Sequence, residues 1–139
     1  MNSAVQARCR RPDPAAIVLA QQVLLRFGTG DFAGVAQLLA PRVEWRGPTP
    51  EKPGGTCVVC TRRQVESFLS AFDSALTVAG LSVGRWVCED DTVVVLGRIR
   101  CQAKTGGAET AYEFAVSLTA GAGLVDSCWL LAHPAGPAA

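Results

Sequence analysis

The sequence predicts an α+β fold: a cone-shaped, curved antiparallel or mixed β-sheet with three N-terminal helices packed on its concave face. Three stretches in the first half of the chain have apolar residues at helical spacing. After Gly80, apolar and polar residues alternate through four segments separated by short turn sequences. Helices grouped ahead of such a meander favour helices on one side of a sheet. The concave side of a curved sheet is a natural ligand pocket.

Composition limits the classes of function. The 139-residue chain is 49% hydrophobic, which suits one domain with a substantial core. Its 13 basic and 12 acidic residues give a net charge of +1, so we expect no contact with nucleic acid or with a membrane. No apolar run approaches the roughly 20 residues of a membrane helix. We therefore expect a cytoplasmic protein whose six cysteines are mostly free thiols.

The expected organisation is one domain with loose ends. Residues 1–14 are polar, contain several arginines and two prolines, and are predicted to be a flexible N-terminal segment. Residues 15–133 contain all the helical and alternating patterns and form the predicted single domain. The last residues, 134–139 (PAGPAA), are expected to be disordered.

The three predicted helices have recognisable start signals. The first, residues 15–27, follows Asp13, a good N-cap residue, and a proline suited to the first turn. The second, residues 32–40, is capped by Asp31 and is predicted to end at the following proline. The third covers residues 61–76, with a threonine as its N-cap.

The strands are predicted from alternation. Residues 42–46 (RVEWR) alternate and predict a first strand, followed by a loop rich in glycine and proline at residues 47–56. The meander after the third helix has turns at residues 89–91, 105–107 and 121–123. Its predicted strands are residues 81–88, 92–102, 110–119 and 125–132.

Two stretches resemble a known family. The first is a glycine–aspartate pair between two helices that leads into LLA and then VEW. Its matching residues are Phe27, Gly30, Asp31, Phe32, Leu38, Leu39, Ala40, Val43, Glu44, Trp45 and Pro48. The second is DTVVVLGR, which begins at Asp91 and is followed by Thr105–Gly106 and Leu124–Val125. Over about residues 15–133, the chain resembles the nuclear transport factor 2-like superfamily, in particular its SnoaL-like and ketosteroid-isomerase-like branch.

The resemblance also shows where steroid isomerases keep their catalytic groups. Their tyrosine on the first helix corresponds to Val23, their basic aspartate after the first strand to Gly47, and their protonated aspartate to Ala115. None of these side chains can donate or accept a proton, whereas proton abstraction beside a carbonyl needs a base and an oxyanion donor. Steroid isomerase activity is therefore not expected.

The same comparison implies a mostly apolar pocket inside the cone for a small organic molecule. Alternate strand residues should face it, and a one-residue slip would move every side chain to the other face. The predicted lining is Val23, Phe27, Val43, Trp45, Gly47, Phe68, Leu96, Arg98, Arg100, Ala115, Cys128 and Leu130. The two arginines would suit an anionic ligand.

Charged residues give a second, enzymatic hypothesis. Epoxide hydrolases of the superfamily activate water with an Asp–Arg–Asp set, and Asp126, Arg98 and Glu113 could form a comparable set. The competing interpretation is an ion pair between adjacent strands, or charged residues at the solvated ends of the sheet. A buried charge must be paired in any case, so pairing alone does not indicate catalysis. The enzymatic hypothesis implies a cofactor-independent isomerase, polyketide cyclase or hydrolase with Asp126 or Glu113 as the base.

The CxxC formed by Cys57 and Cys60 has two interpretations. Its spacing ahead of a helix suits redox or zinc chemistry, but no second CxxC and no nearby histidine accompany it. Free thiols in a loop over the pocket mouth are therefore preferred, and no metal or cofactor is expected.

The outer face of the sheet is predicted to form a homodimer. This arrangement is common in the superfamily, and an exposed aromatic patch is otherwise an aggregation risk. The residues predicted on this face are Tyr112, Phe114, Val116, Val125, Ser127, Trp129 and Leu131. A pure interaction module that uses this face is the third hypothesis.

Overall fold

The computed structural model describes residues 13–47, 57–59 and 61–135 and confirms the α+β prediction. The helices in these ranges are α1 (Pro14–Gly28), α2 (Phe32–Gln37) and α3 (Arg62–Ala75). The strands are β1 (Leu39–Gly47), β2 (Cys57–Val59), β3 (Leu76–Glu89), β4 (Thr92–Ala103), β5 (Thr110–Gly121) and β6 (Leu124–Pro134). They form one open sheet in the order β2-β1-β6-β5-β4-β3, in which β1 and β6 pair in parallel and all other neighbours are antiparallel.

The helices begin where their capping residues predict. The Asp13 side chain accepts a hydrogen bond from the Ala15 backbone N–H at 3.0 Å at the start of α1. At the start of α3, Thr61 and Gln64 form a reciprocal capping box. No helix within the described ranges is long and apolar enough to cross a membrane.

The predicted end of the second helix is wrong. α2 ends at Gln37, and Pro41 lies inside β1 instead of terminating a helix. β1 pairs in parallel with β6, and this pairing begins at Leu39 opposite Val125. Pro41 falls within the irregular part of that pairing, between Leu39 and Glu44, where the missing N–H of proline costs no ladder hydrogen bond.

The strands extend beyond their predicted bounds, and β6 continues through Pro134, the first residue of the tail that was predicted to be disordered. β3 begins at Leu76, directly after α3, because the residues from Leu76 to Val78 already pair with the end of β4. β2 was predicted to be loop, but its three residues pair antiparallel with the end of β1. Gly47, the first residue of the predicted loop at residues 47–56, ends β1, and residues 48–56 and Cys60 lie outside the described residues. The three predicted turns are confirmed, and each contains residues with positive φ, such as Asp90, Gly106 and Gly123.

The core lies between the helices and one face of the sheet. We call the face covered by the helices the inner face and the opposite one the outer face. Alternate residues of β4 and β5 lie on the inner face and are buried, as is one side of α1. These core residues include Ala16, Leu19, Ala20, Val23, Val93, Val95, Ile99, Cys101, Phe114, Val116 and Leu118.

Candidate functional site

The register of β4 and β5 is one residue away from the predicted one. Val95 is 0% exposed on the inner face, whereas its neighbour Leu96 is 40% exposed on the outer face. Four of the predicted pocket residues therefore lie on the outer face, and so does the predicted base Glu113. The four are Leu96, Arg98, Arg100 and Ala115.

The sequence of β4 explains this error. Residues 93–96 (VVVL) are apolar on both faces, so their alternation does not say which face is buried. The opposite register would also place two arginines in the core, where desolvation of each charge is costly. Gly97 completes the inner face, because a Cβ at this position would lie 2.8 Å from the Phe114 ring. The aromatic ring of β5 thus occupies the space that a side chain on β4 would fill.

Corrections also apply to the predicted dimer face. Phe114, Val116 and Val125 are buried on the inner face at 7%, 7% and 0% exposure, and Tyr112 packs against the same core. Trp129 and Leu131 do lie on the outer face, where they are 46% and 63% exposed. The pairing of β5 with β6 is irregular between Thr119 and Ala120 of β5. This irregularity shifts the alternation of inward and outward side chains along β6.

The structure does not bring the three residues of the predicted catalytic set, Asp126, Arg98 and Glu113, together. Arg98 Nη2 lies 3.4 Å from Glu113 Oε1, and His133 Nε2 lies 3.7 Å from Glu113 Oε2. Asp126 is exposed near Gly121 at the other end of β5, about 25 Å from Glu113 at the usual rise per strand residue. The structure therefore brings Arg98 and Glu113 together as a cross-strand ion pair but does not bring Asp126 to them.

The remaining predicted pocket residues lie on the inner side. Trp45 of β1 pairs with Cys128 of β6, and its ring contacts Phe68 at a centroid distance of 5.7 Å. Aromatic contacts continue from Phe68 through Phe72 to Phe27 at 6.4 and 5.9 Å. This group, with Val23, Val43, Gly47 and Leu130, forms an apolar inner surface.

One polar atom on this surface has no partner. Trp45 is 5% exposed, and its indole Nε1 is buried without a hydrogen-bond acceptor among the described residues. A Cβ on Gly47 would lie 3.5 Å from this nitrogen and 3.3 Å from Leu130 Cβ, so the indole N–H lies at the end of β1. A buried, unsatisfied donor typically costs about 1–3 kcal/mol. The sequence placed Trp45 in the pocket but did not identify it as an unsatisfied donor.

A second buried nitrogen without a hydrogen bond differs from Trp45 Nε1 in its surroundings. Arg46 Nε lies 3.4 Å from Glu44 Oε1, so its charge has a nearby carboxylate. The Arg46 guanidinium also lies 4.3 Å from the centroid of the Trp129 ring on the outer face. Trp45 Nε1 has no such compensation, and it is therefore the stronger indication of a ligand.

The inner face offers little acid–base chemistry. None of the buried residues in the described ranges is charged. Burial raises the pKa of the Cys128 thiol to about 12, and burial also raises the pKa of Cys101. Both thiols therefore stay protonated near neutral pH and are poor nucleophiles.

The described residues also form an open groove of about 640 Å³. Most of its lining is on the outer face, with Leu96, Ala115 and Leu131 as apolar residues and Arg85 and His133 among the polar ones. The sequence analysis did not predict this groove, because it assigned these β4 and β5 residues to the inner face.

Comparisons with known proteins agree on the family and the fold. A family model described as a SnoaL-like domain matches residues 20–125. The chain is similar to an NTF2-like protein of unknown function from Burkholderia pseudomallei, with 20% identity, coverage of 86% of this chain and 91% of that chain, and a TM-score of 0.70. A search of curated proteins found no match.

Two further solved structures have the same fold. An LEH-like epoxide hydrolase from M. tuberculosis has 12% identity and a TM-score of 0.71, with 86% of this chain and 83% of that chain covered. TerC, co-crystallised with polyporic acid, has 21% identity and a TM-score of 0.68, with 84% and 90% covered. At these identities the similarity establishes the fold alone.

Proposed function

Because this chain belongs to the family of SnoaL-like domains, we propose that it binds a small organic molecule on the inner face of its sheet. The observation that carries this proposal is the buried indole N–H of Trp45, which has no acceptor among the described residues. A ligand oxygen or nitrogen at this position would recover the hydrogen bond. The surrounding aromatic and aliphatic side chains match the mostly apolar lining of small-molecule sites.

Binding has more support than catalysis. Val23 and Gly47, which correspond to two of the steroid isomerase groups, supply no proton donor or acceptor, and Phe114 and Val116, which flank Ala115 on the inner face, supply none either. No buried residue in the described ranges is charged, so none of them offers a carboxylate base. One neighbour of the same fold, TerC, was co-crystallised with an organic molecule, polyporic acid. That finding concerns TerC and supports, by analogy of fold, an organic ligand for this chain.

Native mass spectrometry of the purified protein tests the proposal. We expect an added mass that is lost on denaturation and whose occupancy falls several-fold in Trp45→Phe. Trp86→Phe is the matched control, because Trp86 is 37% exposed and lies on β3. An unchanged occupancy in Trp45→Phe would exclude Trp45 as the anchor. Preparations that carry only the mass of the chain would contradict the proposal.

The enzymatic alternative is an isomerase, cyclase or hydrolase that uses Asp126 or Glu113 with Arg98. The similarity to an epoxide hydrolase favours it, whereas the separation of Asp126 from the other two residues does not. An assay with styrene oxide tests this alternative. We expect no hydration above the buffer rate. Turnover that is abolished by Asp126→Asn, with the fold preserved, would establish the alternative instead.

A homodimer through the outer face is a second candidate function, as an interaction module or as the state in which the ligand is bound. The specific observation is a group of large apolar side chains exposed on this face. They are Val87, Leu96, Trp129 and Leu131, exposed by 47%, 40%, 46% and 63%. Exposed apolar surface of this kind commonly marks an association surface.

Sedimentation of the wild type and of Leu131→Glu tests the dimer. Because Leu131 is already 63% exposed, the substitution should leave the folded chain intact while it weakens dimerisation by about a hundredfold or more. Leu25→Glu, at a 68% exposed position of α1, is the control for added charge. A wild-type monomer at concentrations near 100 μM would contradict this candidate.

A further inference from the structure

We infer that the ligand of the inner face is an uncharged molecule that presents a carbonyl-type acceptor to Trp45 Nε1. This inference rests on the proposed function and specifies the chemical class of the ligand. It replaces the anionic ligand that the predicted positions of Arg98 and Arg100 suggested. Both arginines are exposed on the outer face, where they pair with Glu113 and Glu109.

The first argument is the type of hydrogen-bonding group. An indole N–H can only donate, so its partner must be an acceptor. Trp45 Nε1 is the one buried side-chain donor in the described ranges that lacks both a hydrogen bond and a nearby opposite charge. One neutral donor can satisfy one acceptor oxygen, as in a ketone, an ester or a lactone.

The second argument is the lack of a counter-charge. Two partly buried guanidinium groups face the helix side, and both are committed to backbone carbonyls: Arg26 to Gly34 and Arg62 to Leu39. Leu39 is about 20 Å from Trp45 along β1 at the usual rise per residue. A carboxylate beside Trp45 would therefore be desolvated without a cation from the described residues, and such burial is strongly unfavourable.

The third argument concerns groups that could change charge near the indole. Cys128, which pairs with Trp45, is fully buried among apolar side chains, and a protonated thiol contributes no charge. Phe68 lies against the ring on the other element, α3, at an interplanar angle of 56°. These neighbours favour an apolar molecule whose single polar group is neutral.

Three small probes of similar shape separate the possibilities: acetophenone, which is neutral with an acceptor; ethylbenzene, which has no acceptor; and benzoate, which is anionic at pH 7. The readout is the indole N–H resonance of Trp45 in a ¹H–¹⁵N spectrum of the full chain, assigned from its loss in Trp45→Phe. Trp86 and Trp129 supply internal reference signals in the same spectrum.

We expect acetophenone to move the Trp45 N–H proton downfield in a saturable way, and ethylbenzene not to. Benzoate should bind at least tenfold more weakly than acetophenone. We expect the wild-type protein to bind acetophenone about fivefold more tightly than ethylbenzene. The Trp45→Phe protein, whose binding is followed through backbone amide resonances, should bind the two probes equally well. The corresponding Trp86→Phe protein should keep the preference for acetophenone.

Benzoate that binds as tightly as acetophenone would overturn the inference, as would acetophenone that leaves the Trp45 resonance unmoved. The two proposals fail in different ways. If native mass spectrometry detects a bound molecule but acetophenone does not shift the resonance, the proposed function stands and the inference falls. If no molecule is bound in either experiment, both fall.

Discussion

The two faces of the same sheet differ sharply in chemistry. On the inner face, β4 and β5 contribute Val93, Val95 and Val116 to a core without described charges. On the outer face, the adjacent residues of the same strands include Arg98 and Glu113, joined in an ion pair. Because neighbouring residues along a strand point to opposite faces, one sequence segment specifies both surfaces at once.

The sequence suggested that one pocket holds both apolar residues for ligand binding and charged residues for anion binding or catalysis. In the structure, these two groups of residues lie on different faces of the sheet. The aromatic residues around Trp45 remain on the inner side, where we propose that a neutral ligand binds. The charged residues proposed for anion binding or catalysis lie on the outer side, among exposed apolar residues such as Leu131. We therefore propose ligand binding for the inner face and association between chains for the outer face.

The largest expected effect comes from placing a charge on each face in turn. Val95→Asp should lower the free energy of unfolding by about 4 kcal/mol or more, because it buries an unpaired carboxylate at a position with 0% exposure. Leu96→Asp, at the adjacent 40% exposed position, should cost about 1 kcal/mol or less. Urea denaturation of both variants measures the comparison. A larger loss of stability in Leu96→Asp than in Val95→Asp would support the register predicted from the sequence instead.

An intermediate effect is expected from the buried thiol of the inner face. With a pKa of about 12, folded Cys128 has about a thousandfold less thiolate near pH 8 than a thiol at the reference value of 9.0. Alkylation by iodoacetamide, followed by mass spectrometry, should therefore be much slower at Cys128 than at the half-buried Cys88. Equal rates at the two sites would contradict the burial of Cys128.

The same thiol predicts a dependence of stability on alkaline pH. Its pKa is higher in the folded chain than in the unfolded one, so the unfolded chain loses the proton first as pH rises. Its contribution to stability is complete below about pH 9 and is lost between about pH 9 and pH 12. Cys128→Ala should flatten the decline in the free energy of unfolding over this range, and Cys88→Ala should not. Parallel declines in the two variants would argue against this cause.

The smallest expected effect is on the outer face. Glu113→Gln removes the ion pair with Arg98, whose partners have side-chain exposures of 61% and 49%. Exposed pairs contribute little, so thermal unfolding should show a change of about 0.5 kcal/mol or less. Glu113→Gln should also leave ligand occupancy unchanged in native mass spectra, unlike Trp45→Phe. A large loss of ligand occupancy in Glu113→Gln would instead indicate that Glu113 belongs to the binding site.

Much of the fold could be predicted because its signals are local. The caps at Asp13, Asp31 and Thr61 are formed by side chains that bond backbone groups two or three residues away. The turn signals around Asp90, Gly106 and Gly123 likewise act within a few residues. The SnoaL-like family was also recognisable, since its pattern of helices, loop and meander is preserved along the chain.

The candidate site was only partly predictable. Trp45, Phe68 and Cys128 lie on the inner side, as expected. The clearest signal is in β1, where Val43 and Trp45 alternate with charged residues. Leu96, Arg98 and Glu113 were not correctly placed, because their orientation was taken from the family resemblance and residues 93–96 are apolar at every position. The polar residues at positions 98, 100 and 102 do mark the outer face. The end of α2 was missed for a related reason: residues 39–41 join a parallel pairing with β6, which is distant in sequence.

The sequence by itself therefore determined the class of fold, the starts of the helices and the turns. Those features depend on residue type and on short-range contacts. Only the tertiary structure showed that Arg98 pairs with Glu113 on the outer face and that the buried N–H of Trp45 has no partner among the described residues. The physical reason is that burial depends on packing between segments that are distant in sequence. One such contact is that of Phe114, whose ring occupies the space that a side chain at position 97 would need.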